Sequence, residues 1–177
     1  FEVDNGFSFL TDKMGEQVAN KAFTLRDSGL VDNGLSSSSF DTEGMSTQET
    51  NIIKDGILQG YLHNSTTAHK FSSESTGNAG IISPHPWNLI VEPGEHSPDE
   101  MIQEMKKGVI ITNSWYTRFQ NIRGGEYSTL PRDATFLVEN GKIRCPITGI
   151  RISDSIPRQL MNLVALSKER KWIEWWE

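Results

Sequence analysis

Apolar and polar positions alternate in different registers along the chain, and each register predicts an element. Phe7, Leu10, Met14 and Val18 recur at spacings of three and four, the signature of one helical face ending near Asn20. A strand from Ala22 to Arg26 follows. From Asp27 to Thr50 the periodicity stops, and Gly, Ser, Asp and Thr dominate, including the run Ser36-Ser37-Ser38-Ser39. Such a composition reads as a long ordered loop or a mobile flap, equally a plain surface linker or a functional loop. Ile52-Ile53 and Ile57-Leu58, continued by Tyr61 and Leu62, flank Lys54-Asp55-Gly56. This predicts a hairpin with Gly56 at the positive backbone angle.

Thr66 to Phe71 can form one helical turn, Ser72 to Gly80 is a polar loop, and Pro84 and Pro86 impose extended backbone before a strand over Trp87 to Val91. Ser97-Pro98-Asp99-Glu100 combines an N-cap serine, a first-turn proline and a glutamate three residues after the cap, so a helix starts there. Met101, Ile102 and Met105 form its apolar face, and Gly108 ends it. Strands are predicted over Val109 to Thr112, Glu126 to Leu130 and Ala134 to Glu139, and Asn140-Gly141 is the preferred pair for a type I′ turn into Ile143. After Ile147 to Ile152, Ser153-Asp154-Ser155 caps a last helix whose Ile156, Leu160, Leu163, Val164 and Ser167 share a face. Hairpins dominate and strands do not alternate with helices. The predicted class is α+β, a mainly antiparallel β-sheet built from hairpins with a few flanking helices.

With 177 residues and a 36% hydrophobic fraction, the chain can build a core without disulfide or metal staples. Its 17 Lys+Arg against 23 Asp+Glu leave a net charge of -6, a field that repels phosphate backbones and argues against nucleic acid as a partner. No stretch approaches the roughly 18 apolar residues of a membrane span, and the start carries no signal core. A lone cysteine, Cys145, suits a reducing, cytoplasmic setting. Beside Pro146 it is expected to be buried and inert. The chain opens at Phe1 and closes on Trp172-Ile173-Glu174-Trp175-Trp176-Glu177, from which residues 1–177 are read as a single domain of a longer protein.

Candidate chemistry is sparse. None of His63, His69, His85 and His96 forms the one-turn pair that a zinc peptidase helix needs. His63 and His69 are read as loop residues, and His85, between prolines, as part of a rigid extended loop. Asp41, Glu43 and Glu49 flank the long loop and are read as solvated carboxylates, although paired acids can serve acid-base chemistry. No Gly-x-Ser-x-Gly elbow occurs, and Ser75-Thr76-Gly77-Asn78-Ala79-Gly80 lacks the Lys-Ser or Lys-Thr of a phosphate loop. What stands out is the polar stretch Tyr61 to Pro93. There Asn64, Ser75, Thr76, Gly77, Asn78, Ala79 and Asn88 form a candidate peptide-binding or chamber loop, because small and amide residues let backbone approach an extended peptide. No residue is assigned a catalytic or metal-binding role.

Several segments in order carry a family resemblance. Phe40-Asp41-Thr42-Glu43-Gly44 resembles the (F/D)DEG segment of the TldD/PmbA family, the so-called modulators of DNA gyrase, with Thr42 where an aspartate is usual. Gly56 to Asn64, Thr67-Ala68-His69-Lys70, Ser75 to Ala79, Asn88-Leu89 with Glu92-Pro93-Gly94, and Glu139 to Ile143 resemble that family's C-terminal domain in the same order. The resemblance implies a cytosolic zinc-dependent peptidase assembled from two related subunits, TldD and TldE (also called PmbA), which trims peptides and degrades unfolded polypeptides. TldD carries an HExxxH zinc helix and TldE lacks it. HExxxH does not occur in this sequence. The resemblance therefore implies either a C-terminal portion of TldD, its zinc helix upstream, or a TldE-like subunit, which Ser75 to Ala79 favours. It further implies that zinc belongs to the parent protein or the partner subunit, with none bound by this chain, that the partner is a TldD/TldE-type subunit in a hetero- or homodimer, and that the substrate is a peptide. The alternative is a non-enzymatic protein-interaction module of the gyrase-modulator type.

Overall fold

A computed structural model describes residues 3–173. They divide into two units: one runs to Glu92 and takes in the described residues from Lys171, and the other is Pro93–Arg170. The tryptophan-rich end from Glu174 lies outside the described residues.

The first unit is organised on a four-stranded antiparallel sheet. Strands β1 (Leu25–Ser28), β2 (Glu49–Lys54), β3 (Ile57–Leu58) and β4 (Leu89–Val91) are ordered β3-β2-β1-β4. The predicted hairpin is present, and both Asp55 (φ 51°) and Gly56 (φ 79°) are left-handed, the type I′ pattern that matches strand twist. Its second strand stops at Leu58, short of Tyr61 and Leu62. Ile53, Leu58 and Ile90 point inward with Val18, Ala19, Ala68 and Ala79 to form the core. Complete burial of Leu58 contributes roughly 2 kcal/mol. Helix α1 (Ser65–Lys70) fulfils the predicted helical turn.

The helix expected over Phe7 to Val18 is absent. That stretch is a series of turns, because Gly6 (φ 69°), Asp12 (φ 60°) and Gly15 (φ 78°) are left-handed, a conformation that interrupts a right-handed helix. The periodic positions do not share one buried face: Phe7 and Met14 are half exposed, while Val18 is buried in the core. β1 also begins three residues later than predicted, since its pairing with β2 and β4 centres on Arg26 and Asp27.

The second unit begins with helix α2 (Pro98–Glu104), capped as its sequence predicts: Ser97 Oγ accepts from Glu100 N, and Glu100 Oε2 accepts from Ser97 N at 2.6 Å. Replacing Ser97 by Ala is expected to cost about 1 kcal/mol, measurable as a small fall in unfolding midpoint without loss of the sheet. Strands β5 (Lys107–Asn121), β6 (Glu126–Glu139) and β7 (Lys142–Pro146) form an antiparallel sheet in that order, with β8 (Ile152–Ser155) also paired to β6. Asn140 (φ 50°) and Gly141 (φ 72°) make the predicted I′ turn.

The predicted strand over Val109 to Thr112 is thus one part of a 15-residue strand, and two predicted strands fuse into β6 across Pro131. β8 pairs with Glu126 to Thr129 and β7 with Phe136 to Glu139. Pro131 falls between them, where β6 has β5 on one side only, so a residue without an N–H is tolerated. Ser153 and Asp154 belong to β8 and leave Ser155 as the cap of helix α3 (Ile156–Met161). This helix is shorter than predicted because Asn162 ends it, its N and Nδ2 both donating to Arg158 O. Val164, expected on the helix face, is almost fully exposed. Cys145 is exposed rather than buried, since all of β7 is exposed. No helix among the described residues is long and apolar enough to cross a membrane.

Candidate functional site

The polar residues singled out in the sequence converge in the first unit around two buried carboxylates. Asp27, in β1, is fully buried and Asn78 almost so. Asp27 Oδ2 accepts from Asn78 Nδ2 at 2.6 Å and Oδ1 from Trp87 N at 2.7 Å. Burial pushes the Asp27 carboxyl above its ordinary value, and the Asn78 and Trp87 bonds pull it part of the way back. Asn78 also donates to His85 O and accepts from Thr76 Oγ1. Thr76 Oγ1 in turn accepts from His63 N. Trp87 Nε1 donates to Gly77 O at 2.8 Å.

Asp41 is the second hub. It is buried, which corrects its reading as a solvated carboxylate. Oδ1 accepts from Glu43 N and Met45 N, folding Phe40 to Gly44 into a tight turn with Gly44 at φ 78°. Oδ2 accepts from Ala79 N at 2.9 Å. Thr42 Oγ1 lies 3.0 Å from both Ala79 O and Gly80 O. Glu43 accepts from Ser65 N and Ser65 Oγ at the start of α1. One short acidic turn therefore fastens both the Ser75–Ala79 loop and the first turn of α1.

Asn64 is the N-cap of α1 and accepts from Thr67 N at 2.9 Å. Asn88 Oδ1 accepts from Ser36 N, while Nδ2 donates to Ser28 O and Ser37 Oγ. These bonds, with Thr47 Oγ1 donating to Ser38 O, tie the serine-rich loop down, so the ordered reading holds over the mobile flap. Ser75 to Ala79 are thus linked to Asn64 through Thr76, His63 and Thr67, whereas Asn88 bonds the serine-rich loop and Ser28 rather than Ser75 to Ala79. Sequence reading missed Asp27 and Trp87. Asp27 opens the polar stretch just after the predicted strand, so no local signal marks it, and its burial follows from β1 continuing to Ser28.

Beside this network lies a cleft of about 400 Å³ lined by Tyr61, His63, Thr67, Phe71 and Pro84 among others. His63 is buried with Nδ1 3.2 Å from Thr67 Oγ1, and its ring packs edge-on to Tyr61 and tilted on Phe71. Burial holds the His63 imidazole below its ordinary value of 6.5. The folded state therefore favours neutral His63. Its contribution to stability is complete above pH 6.5 and is lost as pH falls through the lowered folded value. An NMR titration is expected to place His63 as a late-protonating ring, and His63→Phe is expected to blunt the loss of stability over that window.

A model of the PmbA/TldA metallopeptidase C-terminal domain matches residues 1–176. The chain belongs to the PmbA/TldD family. It is 34% identical over 162 residues to the metalloprotease PmbA of Escherichia coli O157:H7, covering 92% of this chain and 34% of that protein. It is 31% identical over 154 residues to the metalloprotease TldD homolog of Haemophilus influenzae, covering 84% and 32%. A crystal structure from Thermotoga maritima MSB8, described as a candidate modulator of a DNA gyrase, superposes with a TM-score of 0.87 at 36% identity, covering 94% of this chain and 39% of that one. The chain spans about a third of the length of the curated relatives it matches.

The residues described do not form a ligand set for the zinc that the resemblance places in the parent protein or the partner subunit. His63 turns Nδ1 to Thr67, His69 is exposed on α1, and His85 packs on Trp87 at 4.7 Å between ring centres. Among the described residues no three His, Cys, Asp or Glu side chains are placed to hold a metal ion. What the carboxylate network of this PmbA/TldD domain supplies is a set of hydrogen bonds that fix the Ser75–Ala79 loop.

Proposed function

We propose that this domain belongs to a TldE-like (PmbA) subunit of a cytoplasmic TldD/TldE-type zinc metallopeptidase, where it helps to bind a peptide substrate and supports assembly with the zinc-bearing subunit. The observation that carries this reading is the two-carboxylate network. The family's (F/D)DEG-like turn at Phe40 to Gly44 holds the Ser75–Ala79 loop through Asp41, and Asp27 holds the same loop through Asn78. Fixing this loop on buried carboxylates occupies its own backbone, as at Ala79 N and Gly77 O, and makes it a rigid support for the cleft beside it, which lowers the ordering cost of binding a peptide there. The likeness to PmbA supports the TldE side.

The test is reconstitution. The chain, in its parent protein, is mixed with a TldD-type subunit carrying HExxxH, and zinc-dependent cleavage of an unfolded polypeptide is followed. The expected result is a stable complex and cleavage only with both subunits present. Cleavage by the 177-residue chain alone would sink the reading, as would capture of a topoisomerase in place of the TldD-type subunit.

A further inference from the structure

The second unit carries an edge with a chemistry of its own. β5 ends its sheet, with β6 on one side and no strand beyond it among the described residues, so one row of its backbone N–H and C=O groups faces away from the ladder. Nearly the whole strand is exposed, including the apolar side chains Val109 (38%), Ile111 (39%), Tyr116 (57%) and Phe119 (52%). Between Met105 and Gly125 the chain has Lys106, Lys107, Arg118 and Arg123 and not one Asp or Glu. These four cations make no ion pair among the described residues, and Arg118 lies over the Tyr116 ring at 4.7 Å. Edge strands are commonly protected by charge and bulges. Here β5 does bulge after Ile111 and again around Tyr116, but Lys107 to Ile111 pairs with β6 without interruption. That regular stretch, open on one side and bordered by unpaired cations, has the features of a strand-addition site. Opposite charge selects its occupant.

We propose that the outer edge of β5 binds an acidic, extended polypeptide segment as an added strand, with Lys106, Lys107 and Arg118 pairing with its carboxylates and Val109 and Ile111 packing on its apolar residues. The site lies in Pro93–Arg170 and uses no residue of the carboxylate network, so it stands independently of the metallopeptidase reading, and its assay needs neither zinc nor a partner subunit.

The experiment is fluorescence anisotropy of a labelled peptide alternating Val and Glu, titrated with the full chain at about 50 mM salt, where screening is weak. Saturable binding is expected. The peptide with Lys in place of Glu is expected to bind about tenfold or more weakly, as is a Val/Glu peptide N-methylated at every second amide. Both comparisons use the unaltered chain and so do not depend on how a variant folds. The Lys107→Glu/Arg118→Glu variant is expected to lose the same factor. No binding of the Val/Glu peptide would overturn the proposal. Undiminished binding of the N-methylated peptide would reduce the site to nonspecific charge and overturn it too. Tighter capture of a single-stranded oligonucleotide, or a concentration-dependent dimer that blocks the peptide and is abolished in the double variant, would assign the edge to another occupant.

Discussion

Replacing Asp27 by Ala is expected to lower the stability of the first unit by about 3–5 kcal/mol, because two donors, the buried Asn78 Nδ2 and the half-buried Trp87 N, lose their only carboxylate partner. Chemical denaturation followed by tryptophan fluorescence would measure it, Trp87 being an internal reporter of the same site. The pH response carries more information. Asp27 has a folded-state value raised above 3.8, so the folded chain takes up this proton more readily than the unfolded one. The stabilising effect of that uptake is complete below pH 3.8 and is lost as pH rises through the raised value. Asp27→Asn has no proton to gain, so its deficit relative to wild type is expected to be largest in acid and to narrow toward neutrality. A deficit that widens with pH would mean that the hydrogen bonds outweigh burial.

The second large effect is expected at Gly77. Its φ is 66°, and a Cβ built there would meet Ser46 O at 2.3 Å and Thr47 Cα at 3.0 Å, backbone atoms that cannot swing aside. The left-handed penalty alone is about 1–2 kcal/mol, and the overlap raises the cost of Gly77→Ala to roughly 3 kcal/mol or more. For a chain of this size that is a fall in Tm of about 6–12 °C. Gly44→Ala separates the two contributions: its φ is 78°, yet nothing lies within 4 Å of the added Cβ. It is expected to cost only the conformational part, about 1 kcal/mol. Equal losses for the two variants would contradict the packing of the Ser75–Ala79 loop against Ser46.

Elements with a local cause were legible in the sequence. The capping box at Ser97, the I′ turns at Asp55-Gly56 and Asn140-Gly141, and the turn of helix at Ser65–Lys70 depend on neighbours within four residues. Those set by distant contacts were not. The Phe7 to Val18 pattern has helical spacing, but Gly6, Asp12 and Gly15 prefer turns, and the segment is instead held to the β-hairpin, with Val18 N and Ala19 N donating to Gly56 O. β6 runs through Pro131 because of which strands flank it, and no local rule carries that information. The polar loop and the three asparagines Asn64, Asn78 and Asn88 were found from composition. Of the carboxylates that organise them, Asp27 was not singled out and Asp41 was read as solvated, since a buried aspartate differs from a solvated one only through partners such as Asn78 and Ala79, far along the chain.

The reach of those partners bears on how the first unit forms. Asp27 is 51 residues from Asn78 and 60 from Trp87, so the network closes only after most of that unit's chain has been drawn together. Hairpins such as β2-β3 can form early from adjacent residues, whereas the loop around Asn78 must wait for β1 to arrive. A nascent chain released before Asn78 would lack both donors to Asp27, and without Asn88 it would also leave Ser36 N and Ser37 Oγ without that partner. The loop would therefore be the last part of this unit to acquire its final shape during synthesis.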